Sequence, residues 1–280
     1  PDSLNSNIDK DTKAVIFVHL GGNPNGIVEI SEICKKNKIF LIEDCSQAHG
    51  AKIKNKYAGS FGDISIWSFC NDKIISTGGE GGMIATNKKS LFFKIWAERD
   101  IGKNYNKFYK IYKSQGYKYL HDYIGTNARM TEVQAIIGIE QLKVLSSYIK
   151  IRNENAKIIL NEIRDYKNSF FNLNLKSHGY TNSYYRLILI IKPSHYKRYS
   201  NRDKILKDIS LKNYFCQVGG CSELYLEKPI KKLVRLKSLE NAKISSENSI
   251  SFIVDNSLKK IEVKNYSKVI NRVLSKHLLL

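Results

Sequence analysis

Between Ile42 and Gly82 the chain sets out a carboxylate, an amide, a hydroxyl and an amine in order. Asp44 ends the apolar run 39–42, within Glu43-Asp44-Cys45-Ser46-Gln47-Ala48-His49-Gly50. Lys73 follows 29 positions later (73 − 44), with Ser68 before it and Ser76-Thr77-Gly78-Gly79-Glu80-Gly81-Gly82 after it. A Schiff-base lysine needs a rigid, partly desolvated site in which its amine can be neutral. Closely spaced glycines let the backbone turn tightly and approach a ligand. A carboxylate for a ring nitrogen, a hydroxyl for a phosphate and an amine for a carbonyl are together what pyridoxal 5'-phosphate (PLP) requires of a protein.

Taken singly, each of these residues has a plainer reading. Lys73 is one of 46 basic residues, and a solvated charge is the ordinary role of such a lysine. Asp44 also suits a helix N-cap or a surface acid, Gln47 a polar loop, and Ser68 an unremarkable strand position. Gln47 would lie one turn after Asp44 if that segment coils, which brings its amide toward a cofactor oxygen. Five cysteines, Cys34, Cys45, Cys70, Cys216 and Cys221, include no CxxC pair. They read as reduced, mostly buried thiols rather than as a zinc site or disulfide framework. His19, His49, His121 and His178 show no metal-ligand spacing, and no metal is expected.

The elements that must position these residues follow from hydrophobic pattern. Residues 14–19 form a β-branched run that stops at Gly21-Gly22-Asn23-Pro24, the pattern of a buried parallel strand leaving its sheet. Residues 27–37 carry Ile27, Ile30, Ile33 and Cys34 at helical spacing, and 39–42 is the next strand. Strand, helix, strand is a βαβ unit, and in parallel sheets ligands bind beyond the carboxyl ends of the strands, where Glu43 and Asp44 fall. Further strands are expected at 64–69 and 81–86, and a helix at 90–99. Residues 100–123 read as a long Tyr- and Lys-rich loop; its part from 105 suits a sugar-nucleotide site and a dimer contact equally. Thr131 starts a helix lined by Val133, Ile136, Ile139 and Leu142, and a second helix is expected over 149–165. Beyond it come strands at 184–191, 215–218 and 250–254 and helices at 203–211 and 258–274. The expected division is a partial large domain over 1–148 and a bridging helix with a small domain over 149–280.

Composition narrows the class. The chain has 280 residues, 42% of them hydrophobic, and a formal net charge of +20. That suits a globular protein of one large domain and a smaller one. No stretch is apolar for long enough to span a bilayer, and no secretory signal opens the chain, so a cytoplasmic protein without a membrane partner is expected. The basic residues are spread along the whole chain, without a basic tail or arginine-rich stripe, so nucleic acid is not the expected partner. A cationic surface would instead help draw in an anionic substrate.

The ordered motifs resemble those of the DegT/StrS-type family of PLP-dependent nucleotide-sugar aminotransferases. The resemblance is carried by residues 14–22, 43–50, 59–63 (Gly-Ser-Phe-Gly-Asp), 68–82, 99–102 (Arg-Asp-Ile-Gly) and 125–135 (Gly-Thr-Asn-Ala-Arg-Met-Thr-Glu-Val-Gln-Ala). It implies an α/β fold: the three-layer large domain of type I aminotransferases with a mostly parallel sheet, and a smaller α+β C-terminal domain. It also implies that Lys73 forms the Schiff base and moves the proton, Asp44 pairs with the pyridinium, Gln47 sits by the ring oxygen and Ser68 binds the phosphate. Asn127 would reach the phosphate of the other subunit, which makes the implied protein a homodimer with shared active sites. The implied reaction moves an amino group from glutamate or glutamine to a nucleotide-linked keto-sugar, for surface polysaccharide or related amino-sugar synthesis.

Two departures stand beside the resemblance. Family members carry roughly a hundred further residues ahead of this block, including a Gly-Thr phosphate loop, so the chain is expected to be N-terminally incomplete. Residues 252–256 replace a frequent His-Pro pair. The alternatives are a catalytically impaired relative acting as an interaction or regulatory protein, and a sugar dehydrase or lyase. Relatives of the dehydrase kind replace the lysine with histidine, so Lys73 favours transamination.

Overall fold

The computed structural model describes residues 1–109, 119–172, 179–233 and 239–280. They form two compact units: Pro1–Ser146 with Tyr180–Asn182, and Ser147–Gly179 with Ser183–Leu280.

In the first unit, strand β1 (Ala14–Val18) and strand β2 (Phe40–Asp44) pair in parallel, from Ala14 opposite Phe40 to Val18 opposite Asp44. Parallel neighbours need a crossover, and helix α2 (Ile27–Asn37), which follows the short helix α1 (Asp2–Asn7), supplies it. Ile27, Ile30 and Cys34 recur along one side of α2 and are buried against Leu41, with Val15 and Phe17 packed beside them. Gly26 at φ +90° opens this helix and Lys38 at φ +56° closes it, its N–H bonding to the carbonyls of Cys34 and Lys35. Two short strands, β3 (Lys52–Ile53) and β4 (Lys56–Tyr57), precede β5 (Ile64–Ser68), which pairs in parallel with the other edge of β2. Strand β6 (Gly82–Ala85) then returns antiparallel to β5, giving the order β1-β2-β5-β6. Strand β3 pairs antiparallel with β4 on one side and with β7 (Tyr180–Thr181) on the other in a second small sheet.

Strand β1 differs from the buried strand expected. Val15 and Phe17 face the core made with α2, but Ile16 is 65% and Val18 49% exposed, because alternation sends them to the opposite face. Residues 100–123 are not wholly irregular: 105–109 are helical, and Lys103 bridges to His121. The part of the Tyr-rich loop at 110–118, and His178, lie outside the described residues.

The two helices expected after Thr131 are one, Glu132–Glu162. No glycine or proline interrupts residues 139–162, so nothing in the backbone ends a turn at 148. The apolar face expected for this helix is open in its first turns, with Val133 69%, Ile136 61% and Ile139 56% exposed.

The second unit holds an antiparallel sheet, β8 (Leu187–Ile190), β10 (Ser249–Phe252) and β9 (Cys216–Val218), in the order β8-β10-β9. Strand β8 starts three residues later than expected, because Tyr184 has φ +48°, outside the extended region. Helices Arg202–Ser210 and Lys260–His277 flank the sheet's core of Leu189, Ile205, Ile209, Phe252, Ile270 and Leu274, each at most 1% exposed. Burying each such side chain contributes about 1.5–3 kcal/mol. Sheet and helices follow one another in the α+β manner.

Candidate functional site

Strand alternation separates the two acids at the end of β2. Leu41 and Glu43 are buried, whereas Ile42 and Asp44 are half-buried. Asp44 accepts the Ser46 N–H at 2.9 Å through its carboxylate and the His19 N–H at 3.1 Å through its carbonyl. Its main chain is therefore fixed to the loop after β1, and its side chain is turned by a local Asx bond. Gln47 accepts the Gly21 N–H at 2.7 Å with its amide oxygen, at a glycine whose φ is +66°. With the oxygen so engaged, the amide's NH2 end is its donor end.

Ser68 ends β5, and the register of Asp44 opposite Ile66 puts both residues at the carboxyl edge of the same sheet. Its hydroxyl lies 3.4 Å from the Cys70 N–H. Lys73 sits on the loop that joins β5 to β6, with its side chain 16% exposed and its Nζ 3.4 Å from the Asp72 carboxylate. Phe69 closes the neck of that loop: its N–H bonds to the Gly81 carbonyl at 2.8 Å, and its carbonyl accepts from Thr77 N–H at 3.2 Å and Ser76 hydroxyl at 3.1 Å. A Cβ on Gly81 would lie 2.2 Å from the Thr77 Oγ1, and Gly78 and Gly79 adopt φ of +81° and +134°. The glycine turn is thus required by the backbone path.

Asn127 belongs to a different constellation. It is exposed, bridges to Asp100 and accepts from the Arg129 Nε at 3.1 Å. The buried Asp100 carboxylate collects Lys103 at 3.1 Å, Arg129 at 3.5 Å and Arg99 at 4.0 Å, an excess of positive charge beside Asn127.

Three supports were not read from the sequence. Glu43, wholly buried, accepts from the N–H groups of Gly59 (2.7 Å), Phe61 (2.7 Å) and Gly62 (2.6 Å) and pairs with His19 Nε2 at 3.0 Å. Burial pushes its carboxyl up, but His19 and the three N–H groups outweigh that and hold it below the ordinary glutamate value. Cys45 lies close enough to His19 and Glu43 to complete a three-donor set within 4.8 Å. Glu43 is already committed to backbone N–H groups and burial pushes the Cys45 thiol up, so the set serves as a structural node. Its only sequence signal is an acid at the inward parity of β2 facing the Gly59–Gly62 turn.

Gln134 is the second support. It forms a T-x-x-Q capping box with Thr131, accepting its N–H at 3.0 Å, and donates from Nε2 to the Glu80 carbonyl at 2.7 Å. The start of the long helix is thereby fixed to the glycine turn after Lys73. The third support explains the departure at 252–256: Asp255 pairs with the buried Arg152, and Asn256 accepts from the Arg152 Nε at 3.0 Å. The cysteines are free, but only Cys34 and Cys45 are fully buried, fewer than expected.

Comparison with known proteins places this geometry. GDP-perosamine synthase of Escherichia coli O157:H7 is 35% identical over 189 residues, which is 68% of this chain and 48% of that protein. GDP-perosamine synthase of Vibrio cholerae is 34% identical over 162 residues, 58% of this chain and 41% of that protein. The chain therefore spans less than half the length of these curated relatives. Among solved structures, the aminotransferase from Psychrobacter cryohalolentis superposes with a TM-score of 0.90 at 35% identity, over 99% of this chain and 72% of that one. The E. coli GDP-4-keto-6-deoxy-D-mannose-3-dehydratase with bound hydrated PLP superposes with a TM-score of 0.80 at 25% identity, over 98% of this chain and 70% of that one. The fold is accordingly that of the PLP-dependent type I aminotransferases. Since a family model matches residues 1–273 without leaving out either unit, the chain belongs to the DegT/DnrJ/EryC1/StrS aminotransferase family.

Proposed function

We propose that the protein to which this chain belongs is a PLP-dependent aminotransferase acting on a nucleotide-linked keto-sugar, with glutamate or glutamine as amino donor. The observation that carries this reading is the largely buried Lys73 on the β5–β6 loop, beside a sheet edge that holds Asp44 and Ser68. The donor set fits PLP: a carboxylate and a hydroxyl at the carboxyl edge of one sheet, an amide donor and an amine on the loops that leave it, and a turn whose glycines admit close approach. The chemistry supplied by the bound cofactor is an electron sink for the pair left when a substrate C–H bond breaks.

The protein's own residues divide the rest. The Asp44 carboxylate holds a proton on the ring nitrogen. The Gln47 NH2 group donates to the ring oxygen, its orientation set by the bond from Gly21 to its oxygen. The Ser68 hydroxyl takes a phosphate oxygen. Lys73 Nζ removes the proton from the donor's α-carbon and later delivers one to the carbon of the sugar that receives nitrogen. Asn127 donates to the phosphate of a second subunit, so the working form is a homodimer with shared sites. The product would feed surface polysaccharide or related amino-sugar synthesis. Among the described residues no helix is long and apolar enough to cross a membrane.

The relatives include GDP-4-keto-6-deoxy-D-mannose 3-dehydratases as well as synthases. Lysine at position 73 supports the transaminase reading over the dehydratase one. Borohydride reduction of the full-length protein with PLP is expected to attach a phosphopyridoxyl group to Lys73, located by peptide mass spectrometry. Lys73→Ala is expected to abolish both that label and amino transfer; transfer that persists in this variant overturns the assignment.

A further inference from the structure

The second unit carries a side-chain relay remote in sequence from Asp44 and Lys73. The His277 Nδ1 lies 3.0 Å from the Ser200 hydroxyl, and its Nε2 lies 2.9 Å from an Asp208 carboxylate oxygen. His277 is 6% exposed at its side chain, and Asp208 23%. Ser200, Asp208 and His277 line one cavity of about 490 Å³ together with Lys204, Lys207 and Lys276.

The protonation pattern follows from the partners. Lys276 also reaches the Asp208 oxygen, at 2.5 Å. The bonds from Lys276 and His277 hold the Asp208 carboxyl below its ordinary value, so it is an acceptor only. The Nε2 of His277 must then carry hydrogen, and in the neutral ring Nδ1 presents its lone pair to the Ser200 O–H. This is nucleophile, base and orienting acid in sequence, with the two ring nitrogens exchanged relative to the serine-protease arrangement; such triads are recognised by geometry and roles.

The backbone around Ser200 adds two independent features. Tyr199, directly before it, is held at φ +65°, a strained value for a bulky residue. The helix Arg202–Ser210 opens two residues after it, capped by the Asn201 side chain on the Lys204 N–H. First-turn N–H groups of a helix have no partner within it, and its N-terminus favours negative charge.

We propose that Ser200 is an activated nucleophile, and that this cavity catalyses acyl transfer from a small ester bearing negative charge. The Ser200 oxygen attacks the ester carbonyl carbon while its proton passes to His277 Nδ1. The carbon–oxygen bond to the alcohol breaks, and the departing alcohol takes the proton from Nδ1. The acyl group then stands on Ser200 as an ester. Water, its proton taken by His277, attacks that ester, and Ser200 recovers a proton as the carboxylic acid leaves. No oxidant or reductant enters. Lys204 and Lys207, which line the cavity, select for the anionic ester, whereas Lys276 is paired with Asp208.

The test uses the full-length protein and two probes: a fluorophosphonate, whose fluoride is displaced by an activated serine, and 4-nitrophenyl acetate. Peptide mass spectrometry is expected to find the phosphonyl label on Ser200. Labelling and ester hydrolysis are expected to fall roughly a hundredfold in His277→Gln, and labelling at position 200 to vanish in Ser200→Ala. Thermal melts of the variants separate lost chemistry from lost structure. Asp208→Asn carries the same expectation as His277→Gln where the latter does not fold. A Ser200–His277–Asp208 relay that merely ties the loop to the last helix would show no label on Ser200. That result, or undiminished labelling in a folded His277→Gln or Asp208→Asn protein, overturns the proposal.

Discussion

Glu43 and Asp44 stand side by side at the end of β2, and alternation gives them different surroundings. Asp44 keeps a half-buried side chain at the sheet edge, whereas Glu43 is sealed inside and takes four hydrogen bonds. Removing one partner of a buried, hydrogen-bonded pair costs about 3–5 kcal/mol. Glu43→Ala is therefore expected to lower the unfolding free energy by about that amount in urea titrations. Because the folded carboxyl is held below its ordinary value of 4.5, its stabilisation is fully present above that pH and is lost as pH falls through the lower folded value. Urea midpoints measured from neutral pH downward should show this acid loss in the native chain and less of it in Glu43→Gln. Asp44, Gln47, Ser68 and Lys73 were legible as candidates because they sit in ordered motifs. The role of Glu43 was not, since it depends on three N–H groups that a turn 16–19 residues away brings to it.

Elements rich in local pattern were the easiest to read. The apolar spacing of α2 and the β-branched run of β1 predict both elements and their parallel pairing. Two helices are expected where the structure holds one, because no glycine or proline breaks residues 139–162. Strand β6 was read as a return from the lysine turn, and its antiparallel pairing with β5 closes that turn. The long helix enters the site through Gln134, whose box with Thr131 and bond to Glu80 secure the same turn. Gln134→Ala is expected to destabilise by about 1 kcal/mol as a lost cap. In hydrogen exchange the Phe69 and Thr77 amides should lose protection more than amides of the second unit. Uniform loss across both units would mean that the box supports the helix alone.

At the scale of the whole molecule, charge and apolar exposure are separate matters. The +20 net charge is distributed, so its expected effect is on encounter with an anionic substrate. The KM of the nucleotide-sugar should rise with added salt in the full-length enzyme while kcat changes little, and a KM indifferent to salt would show that the charge has no such role. Ile16, Val18 and Ile84, which the strand register puts on one face of the first sheet, are each at least 49% exposed. The homodimer proposed above offers such a surface a partner. Family membership was legible at this scale because the motifs recur in order over nearly the whole chain. The open helix face was not, because periodicity marks an apolar side without saying what covers it.

The β5–β6 pairing also has a kinetic consequence. Ser68 faces Gly82, 14 positions on (82 − 68), whereas Val18 faces Asp44 across 26 (44 − 18). Closing the shorter loop costs about 0.5 kcal/mol less in chain entropy, and it needs no crossover helix. During folding the hairpin that carries Lys73 is expected to form before the parallel strands that deliver Asp44. Transition-state φ-values from Ile84→Val should then exceed those from Val15→Ala, and the reverse order would contradict it. The amine would wait on a finished loop for its acid to arrive.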